Sequence, residues 1–190
     1  MSKHDIPWWN PQVGPNEYAN LHDVLDSNYL NDGDVTTRFE REIATLVGAK
    51  HAVGVTSGTS ALFLSLAALG IGQGDEVIVP DITFIATANA VTLTGAVPVL
   101  VDVDPATLNI SPEAFEKAIN GRTRAVMPVH VSGRSADLSS IAMIAENHGI
   151  AVVEDAAEAL SSFHDGQALG TIGIAAVSYT HLTLPTSDLV

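Results

Sequence analysis

The stretch Val53-Gly54-Val55-Thr56-Ser57-Gly58-Thr59-Ser60-Ala61-Leu62 runs an apolar segment into a Ser-Gly-Thr turn that opens directly into an apolar helix. At such a turn the first backbone N–H groups of the helix lack intrahelical acceptors and the helix dipole adds partial positive charge. A phosphate is therefore held there without a basic side chain. Further along, the apolar residues 150–153 read as a buried strand that delivers Glu154, Asp155, Ala156, Ala157 and Glu158 to its C-terminal end. Ligands of open α/β sheets collect at strand C-termini. An anion cradle together with a strand-end acid is the pair of fixtures that a phosphorylated pyridine cofactor requires, the acid lying beside the ring nitrogen.

Outward from this stretch, helix and strand signals alternate from Asp34 onward, the pattern of a mostly parallel central sheet covered by helices, a three-layer α/β fold. Val35, Phe39, Ile43 and Val47 fall at helical spacing with Gly48 as a stop, and Thr37 with Glu40 can form a capping box. A strand over 51–55 and a helix over 60–69 follow, the helix apolar nearly all round and so expected to lie buried under the sheet. The glycine run at 70–74 sits between a helix and a strand, the reverse of a phosphate loop, and reads as a C-cap and turn. Strands are predicted over 76–79, 97–102, 125–129 and 150–153. Helices are predicted over 83–93, 113–119 with Ser111 and Pro112 at its start, and 138–148 between Asp137 as cap and Gly149 as stop.

The 190-residue chain carries a formal charge of −14, which argues against a nucleic-acid partner because a phosphate backbone would be repelled. It has no cysteine, so disulfides and thiolate metal sites are excluded, and its histidines show no metal-ligand spacing. The N-terminal Met1-Ser2-Lys3-His4-Asp5 has no apolar signal-peptide core, and residues 84–101 are interrupted by Thr87, Asn89, Thr92, Thr94, Gly95 and Pro98. They fall short of the roughly 20 apolar residues a bilayer span needs. A cytoplasmic enzyme without membrane contact is the expected setting.

In sequence order, Tyr29-Leu30-Asn31-Asp32-Gly33, Val47-Gly48-Ala49-Lys50-His51-Ala52-Val53, the Ser-Gly-Thr turn and Gly74-Asp75-Glu76-Val77-Ile78-Val79-Pro80 resemble the DegT/DnrJ/StrS sugar aminotransferases, fold-type-I enzymes that use pyridoxal 5'-phosphate. The resemblance continues through Thr83-Phe84-Ile85-Ala86-Thr87-Ala88-Asn89-Ala90, Val101-Asp102-Val103-Asp104, Pro128-Val129-His130 and Glu154-Asp155-Ala156-Ala157-Glu158, covering roughly residues 6–176. It implies an incomplete fold-type-I large domain. Residues 1–176 would hold an N-terminal arm and part of the cofactor-binding domain, with the small C-terminal domain absent.

On this resemblance Gly58, Thr59 and Ser60 bind the cofactor phosphate; the residues alone equally allow an ordinary helix N-cap. Asp155 is the catalytic and cofactor-binding acid that keeps the pyridine nitrogen protonated, against the plainer reading of a strand-end cap. Phe84 occupies the family position that stacks on the ring, against a core residue of an amphipathic helix. Glu158 stands where relatives often carry Gln or His near the cofactor's phenolic oxygen. His130 reads as a hydrogen-bonded structural histidine rather than a base. Trp8, Trp9, Asn10 and the loop with Tyr29 and Asn31 fall where relatives meet the sugar nucleotide or the neighbouring subunit of a homodimer; simple packing is the alternative.

The family's Schiff-base lysine follows a Ser-Phe pair after Gly170-Thr171-Ile172-Gly173, but the aligned position here is Thr183, and the chain's lysines are Lys3, Lys50 and Lys117. From Val177 the run Val-Ser-Tyr-Thr-His-Leu-Thr-Leu-Pro-Thr resembles one reading frame of a sequencing adapter, which implies that 177–190 is a foreign tail; a genuine divergent C-terminus is the alternative, and on either reading Ser178 and His181 carry no function. The resemblance implies amino transfer from an amino acid, glutamate, to a keto sugar nucleotide, a 4-keto-6-deoxy sugar of the perosamine type. Two alternatives stay open: a pyridoxamine-phosphate-dependent sugar dehydratase of the same family, and a non-catalytic cofactor-binding or regulatory relative.

Overall fold

A computed structural model describes residues 14–31 and 33–178 of the chain. Its elements in chain order are α1 (Pro15–Asp26), α2 (Asp34–Val47), α3 (Gly58–Ala68), β1 (Glu76–Pro80), α4 (Ala86–Leu93), β2 (Val97–Val101), α5 (Pro112–Ala118), β3 (Thr123–Val126), α6 (Leu138–His148), β4 (Ala151–Asp155), β5 (Phe163–His164), β6 (Gln167–Ala168) and β7 (Ala175–Val177). Strands β2-β1-β3-β4-β7 form one sheet in that order, every neighbouring pair parallel, and β5 with β6 makes a separate two-stranded hairpin.

Three layers follow from the period of two along the strands. Val77 and Val79 of β1 pack with Ala125, Met127 and Val153 against Leu62 and Leu66 of α3 and Ala90 and Val91 of α4. Ile78 and Val126 point the other way, into Phe115 of α5 and Ile141, Ile144 and Ala145 of α6. All five residues of β1 are buried, as a central parallel strand with helices on both faces requires. Helix α6 runs from the Asp137 cap, whose side chain accepts from Ser140 N–H, to Gly149 in the left-handed conformation at φ 65°.

The structure departs from the sequence reading in several places. Residues 51–55 enter no sheet ladder, and Val53 is exposed. The apolar pattern there reports a chain that lies against α2, where Gly54 N–H donates to Glu40 Oε1 at 2.8 Å, but a strand also needs a neighbour to complete its hydrogen bonds. That contact also disposes of the capping box. Helix α2 begins at Asp34 behind Gly33, so Thr37 lies inside it and Glu40 is engaged elsewhere. Helix α3 is not buried all round: Leu62 and Leu66 are buried while Leu64 is exposed. Helix α4 begins at Ala86, which leaves Thr83 and Phe84 in the preceding turn. Strand β3 ends at Val126, beyond which Val129 forms a single bridge to Asp155. Helix α1 and the β5–β6 hairpin were not anticipated. Trp8, Trp9, Asn10, Asp32, His181 and Thr183 lie outside the described residues. Strand β7 extends to Val177, whose side chain is buried in the core.

Candidate active site

Because every strand of the main sheet is parallel, the segments after β1, β3, β4 and β7 leave from one edge. Phe84, His130, Asp155 and Ser178 are carried toward that edge by topology alone. A cleft of about 260 Å³ opens beside it. Its walls include Phe39 and Ile43 of α2, Thr56, Ser57 and Gly58 at the start of α3, and Ala156, Gly170, Val177 and Ser178.

At the start of α3, Ser57 is the N-cap, its hydroxyl accepting from Ser60 N–H at 3.1 Å, while Ala61 N–H bonds to Ser57 O. Ser60 Oγ lies 2.9 Å from Ser57 Oγ and 3.3 Å from Thr56 Oγ1. By helix geometry the N–H groups of Gly58 and Thr59 have no intrahelical acceptor, and Thr56, Ser57 and Gly58 of this turn stand in the cleft wall. The N-cap reading and the phosphate reading of this turn are thus compatible, because Ser57 performs the capping and leaves Gly58 and Thr59 free for a ligand.

Asp155 ends β4 in register with Val177 of the cleft wall and is only 5 % exposed. Its Oδ2 accepts from Thr87 Oγ1 at 2.7 Å and its Oδ1 from Ala157 N–H at 3.3 Å. Burial pushes its carboxyl above the ordinary aspartate range. The Thr87 hydroxyl, the Ala157 N–H and nearby His130 pull the other way, and the Glu158 charge adds to the rise. Phe84, three residues before Thr87, is 76 % exposed, so it is not a core residue. The exposed ring is an available platform on the same segment that holds the acid.

His130 and Glu154 are both fully buried. Ala136 N–H donates to His130 Nδ1 at 3.1 Å, so the ring proton sits on Nε2, which donates to Glu154 Oε2 at 3.0 Å. Glu154 also accepts from Gly170 N–H at 2.8 Å, Ile172 N–H at 2.8 Å and Gly173 N–H at 2.6 Å. Burial alone would raise this carboxyl; the bonds from His130, Gly173, Gly170 and Ile172 outweigh it and hold the carboxyl below the usual glutamate range. His130 is a structural histidine, as expected. Glu154, which the sequence places only as the residue before Asp155 at the strand end, clamps the 170–173 loop onto β4 through this carboxylate. Both Glu154 and Thr87 escaped the sequence analysis because their partners are remote in the chain.

Glu158 accepts from Ser132 N–H through Oε2 at 2.7 Å, in a turn where Ser132 itself is left-handed at φ 52°. Tyr29 and Asn31 lie in the connection between α1 and α2 and are not among the residues lining the cleft. Among the described residues no cluster of His, Asp and Glu is arranged to hold a metal ion, and no helix is long and apolar enough to cross a membrane.

Residues 11–183 match the DegT/DnrJ/EryC1/StrS aminotransferase family. The chain is 47 % identical over 170 residues to the spore coat polysaccharide biosynthesis protein SpsC of Bacillus subtilis (strain 168), a match that covers 90 % of this chain and 44 % of the relative. Among solved structures it is similar to S. venezuelae DesV in complex with a ketimine intermediate, at 45 % identity and TM-score 0.80 over 81 % of this chain and 42 % of that one. It is also similar to the PLP form of the putative sugar aminotransferase Spr1654 from Streptococcus pneumoniae, at 31 % identity and TM-score 0.85 over 88 % of this chain and 47 % of that one. The chain therefore spans less than half the length of these relatives. It belongs to the DegT/DnrJ/EryC1/StrS aminotransferase family, whose aminotransferases depend on pyridoxal phosphate.

Proposed function

We propose that this chain forms part of the cofactor-binding domain of a sugar-nucleotide aminotransferase. The observation that supports it most is one cleft at the sheet edge lined both by the turn that opens α3, at Thr56, Ser57 and Gly58, and by Ala156 and Val177, the chain neighbour and strand partner of the buried acid Asp155. These residues suit pyridoxal phosphate, which when bound supplies an electron sink for the substrate carbon that loses its proton. The N–H groups of Gly58 and Thr59 with the Ser60 hydroxyl take the phosphate. The Phe84 ring offers a stacking face, worth about 0.5 to 1.5 kcal/mol beyond burial. Asp155 would hold the proton of the ring nitrogen, and Glu158 would serve the ring oxygen.

The amino group comes from an amino acid, glutamate, and goes to the keto carbon of a nucleotide-linked sugar, a 4-keto-6-deoxy sugar in this reading, with Tyr29 and Asn31 meeting the substrate from the α1–α2 connection. The working enzyme is a cytoplasmic homodimer. The test is single-turnover amino transfer to a 4-keto sugar nucleotide, in a chain that carries the family's lysine, before and after Asp155→Asn. The shape is nearly kept and the charge on the ring nitrogen's partner is lost, so the rate falls on the order of a hundredfold or more. Equal rates would refute the role given to Asp155.

A further inference from the structure

The acid and the aromatic platform come from different parts of the fold, Asp155 from the end of β4 and Phe84 from the turn before α4. One chain of hydrogen bonds joins them. Thr87 in the first turn of α4 is fully buried, and its Oγ1 donates to Asp155 Oδ2 at 2.7 Å. On its other side Thr87 Oγ1 accepts from Thr83 Oγ1 at 2.6 Å, which leaves Phe84 O, 3.2 Å from Thr83 Oγ1, to the backbone. Thr87 N–H is also bonded to Phe84 O at 3.1 Å. Thr83 and Thr87 thus bracket Phe84 in sequence, and the second of them holds the acid.

We infer that Thr87 is the positioning residue that fixes the Asp155 carboxyl toward the ring nitrogen and sets it in register with the Phe84 platform. This rests on the assignment of Asp155 made above. Among the described residues the second Asp155 oxygen has only the long bond from Ala157 N–H, at 3.3 Å, so the carboxyl's orientation depends on the threonine. A hydroxyl suits this task. It donates to the carboxylate when Asp155 is charged and rotates to accept when it is not, so the clamp survives either proton state. The other charged or titratable groups acting on Asp155 are His130 and Glu158, and neither bonds to its carboxyl. Thr87 is therefore the side chain whose removal changes what Asp155 can do without touching a ligand.

The test compares binding of pyridoxamine 5'-phosphate, which needs no covalent attachment, with binding of its analogue carrying C–H in place of the ring nitrogen. The chain, Thr87→Val, Thr87→Ser and Asp155→Asn are measured by equilibrium titration. Loss of one charge-assisted hydrogen bond predicts that Thr87→Val narrows the preference for the nitrogen-containing ligand by about tenfold, while Thr87→Ser keeps it. A second readout needs no ligand: with 13C-labelled aspartate, the Asp155 carboxyl resonance, identified by its disappearance in Asp155→Asn, titrates at higher pH in Thr87→Val and as in the parent in Thr87→Ser. If Asp155→Asn abolishes the preference and Thr87→Val leaves both it and the titration unchanged, the inference about Thr87 is wrong. If Asp155→Asn itself leaves the preference intact, the functional reading of Asp155 falls, whatever Thr87 does. Unaltered far-ultraviolet circular dichroism of Thr87→Val separates either result from misfolding.

Discussion

Replacing Glu154 by Gln changes one atom, and it should be among the more damaging single substitutions in this fold. Four fixed N–H donors converge on the carboxylate: Ile172 and Gly173 on Oε1, Gly170 and His130 on Oε2. An amide has one acceptor oxygen and one NH2 group, so placing its oxygen toward Ile172 and Gly173 turns its NH2 toward two other donors. His130 cannot adapt by moving its proton to Nδ1, because that nitrogen already accepts the Ala136 N–H. Two buried donors are left unsatisfied at about 1 to 3 kcal/mol each, or roughly 2 to 6 kcal/mol together, a large share of the 5 to 15 kcal/mol that typically separates folded from unfolded domains. The assay is urea denaturation at pH 7. The pH dependence gives an independent check. Glu154 has its folded value held below the unfolded one, so its stabilising contribution is complete above the unfolded glutamate range and disappears as pH falls through the folded value. The parent should lose stability over that acid window and Glu154→Gln should lose less. A variant whose midpoint matches the parent at pH 7 would refute the argument that this carboxylate clamps the 170–173 loop.

Asp155→Asn should behave oppositely in the ligand-free chain: its folded value is raised, so its cost is absent below the unfolded aspartate range and complete above the folded value. Urea midpoints at pH 7 should therefore place the Asn variant at or above the parent, with the gap closing in acid, and a clearly less stable variant would contradict this. Gly173→Ala should destabilise by about 1 to 3 kcal/mol, because a Cβ there would lie 2.6 Å from Val152 O; an unchanged thermal midpoint would show that the loop relaxes freely. As given, the chain should show no transaminase activity, since its lysines are Lys3, Lys50 and Lys117, and a borohydride-fixed cofactor adduct on Lys50 or Lys117 would overturn that expectation. Resequencing across the codons for Ala176 and Val177 should recover a downstream lysine, and independent reads confirming residues 177–190 would count against a foreign tail.

What could be read from the sequence was whatever a local pattern encodes. Helix α6 was predicted to the residue because Asp137 and Gly149 mark its ends chemically, and the three layers followed from apolar runs alternating with helical spacing. The strand expected over 51–55 failed for a nonlocal reason, since its pattern is correct but no neighbouring strand pairs with it. Helix α1 carries Tyr18, Leu21 and Leu25 at helical spacing, a short stripe that the reading passed over, and none of its residues is buried. The site divides in the same way. Asp155, Phe84 and the Ser57-to-Ser60 turn stand out through residue type and position, whereas the supports of the acids come from 68 residues away at Thr87 and 24 at His130, distances at which no periodicity speaks.

The contrast between Glu154 and Asp155 is itself informative about how the strand end works. Adjacent in sequence and both nearly or fully buried, they differ in what surrounds them. Glu154 meets backbone N–H groups and an imidazole whose proton is fixed, none of which can turn around to accept, so its charge is locked and its role is to hold the loop. Asp155 meets one rotatable hydroxyl and one long N–H bond, and burial raises its carboxyl. A carboxylate with few partners of its own has the most to gain from a cationic ring nitrogen brought beside it. In the role proposed for Asp155, its unfavourable burial in the ligand-free chain would become part of the free energy that favours a protonated pyridine. The same desolvation that makes Asp155→Asn stabilising without a ligand should therefore make that substitution costly once the cofactor is bound, a reversal of sign that a purely structural carboxylate such as Glu154 would not show.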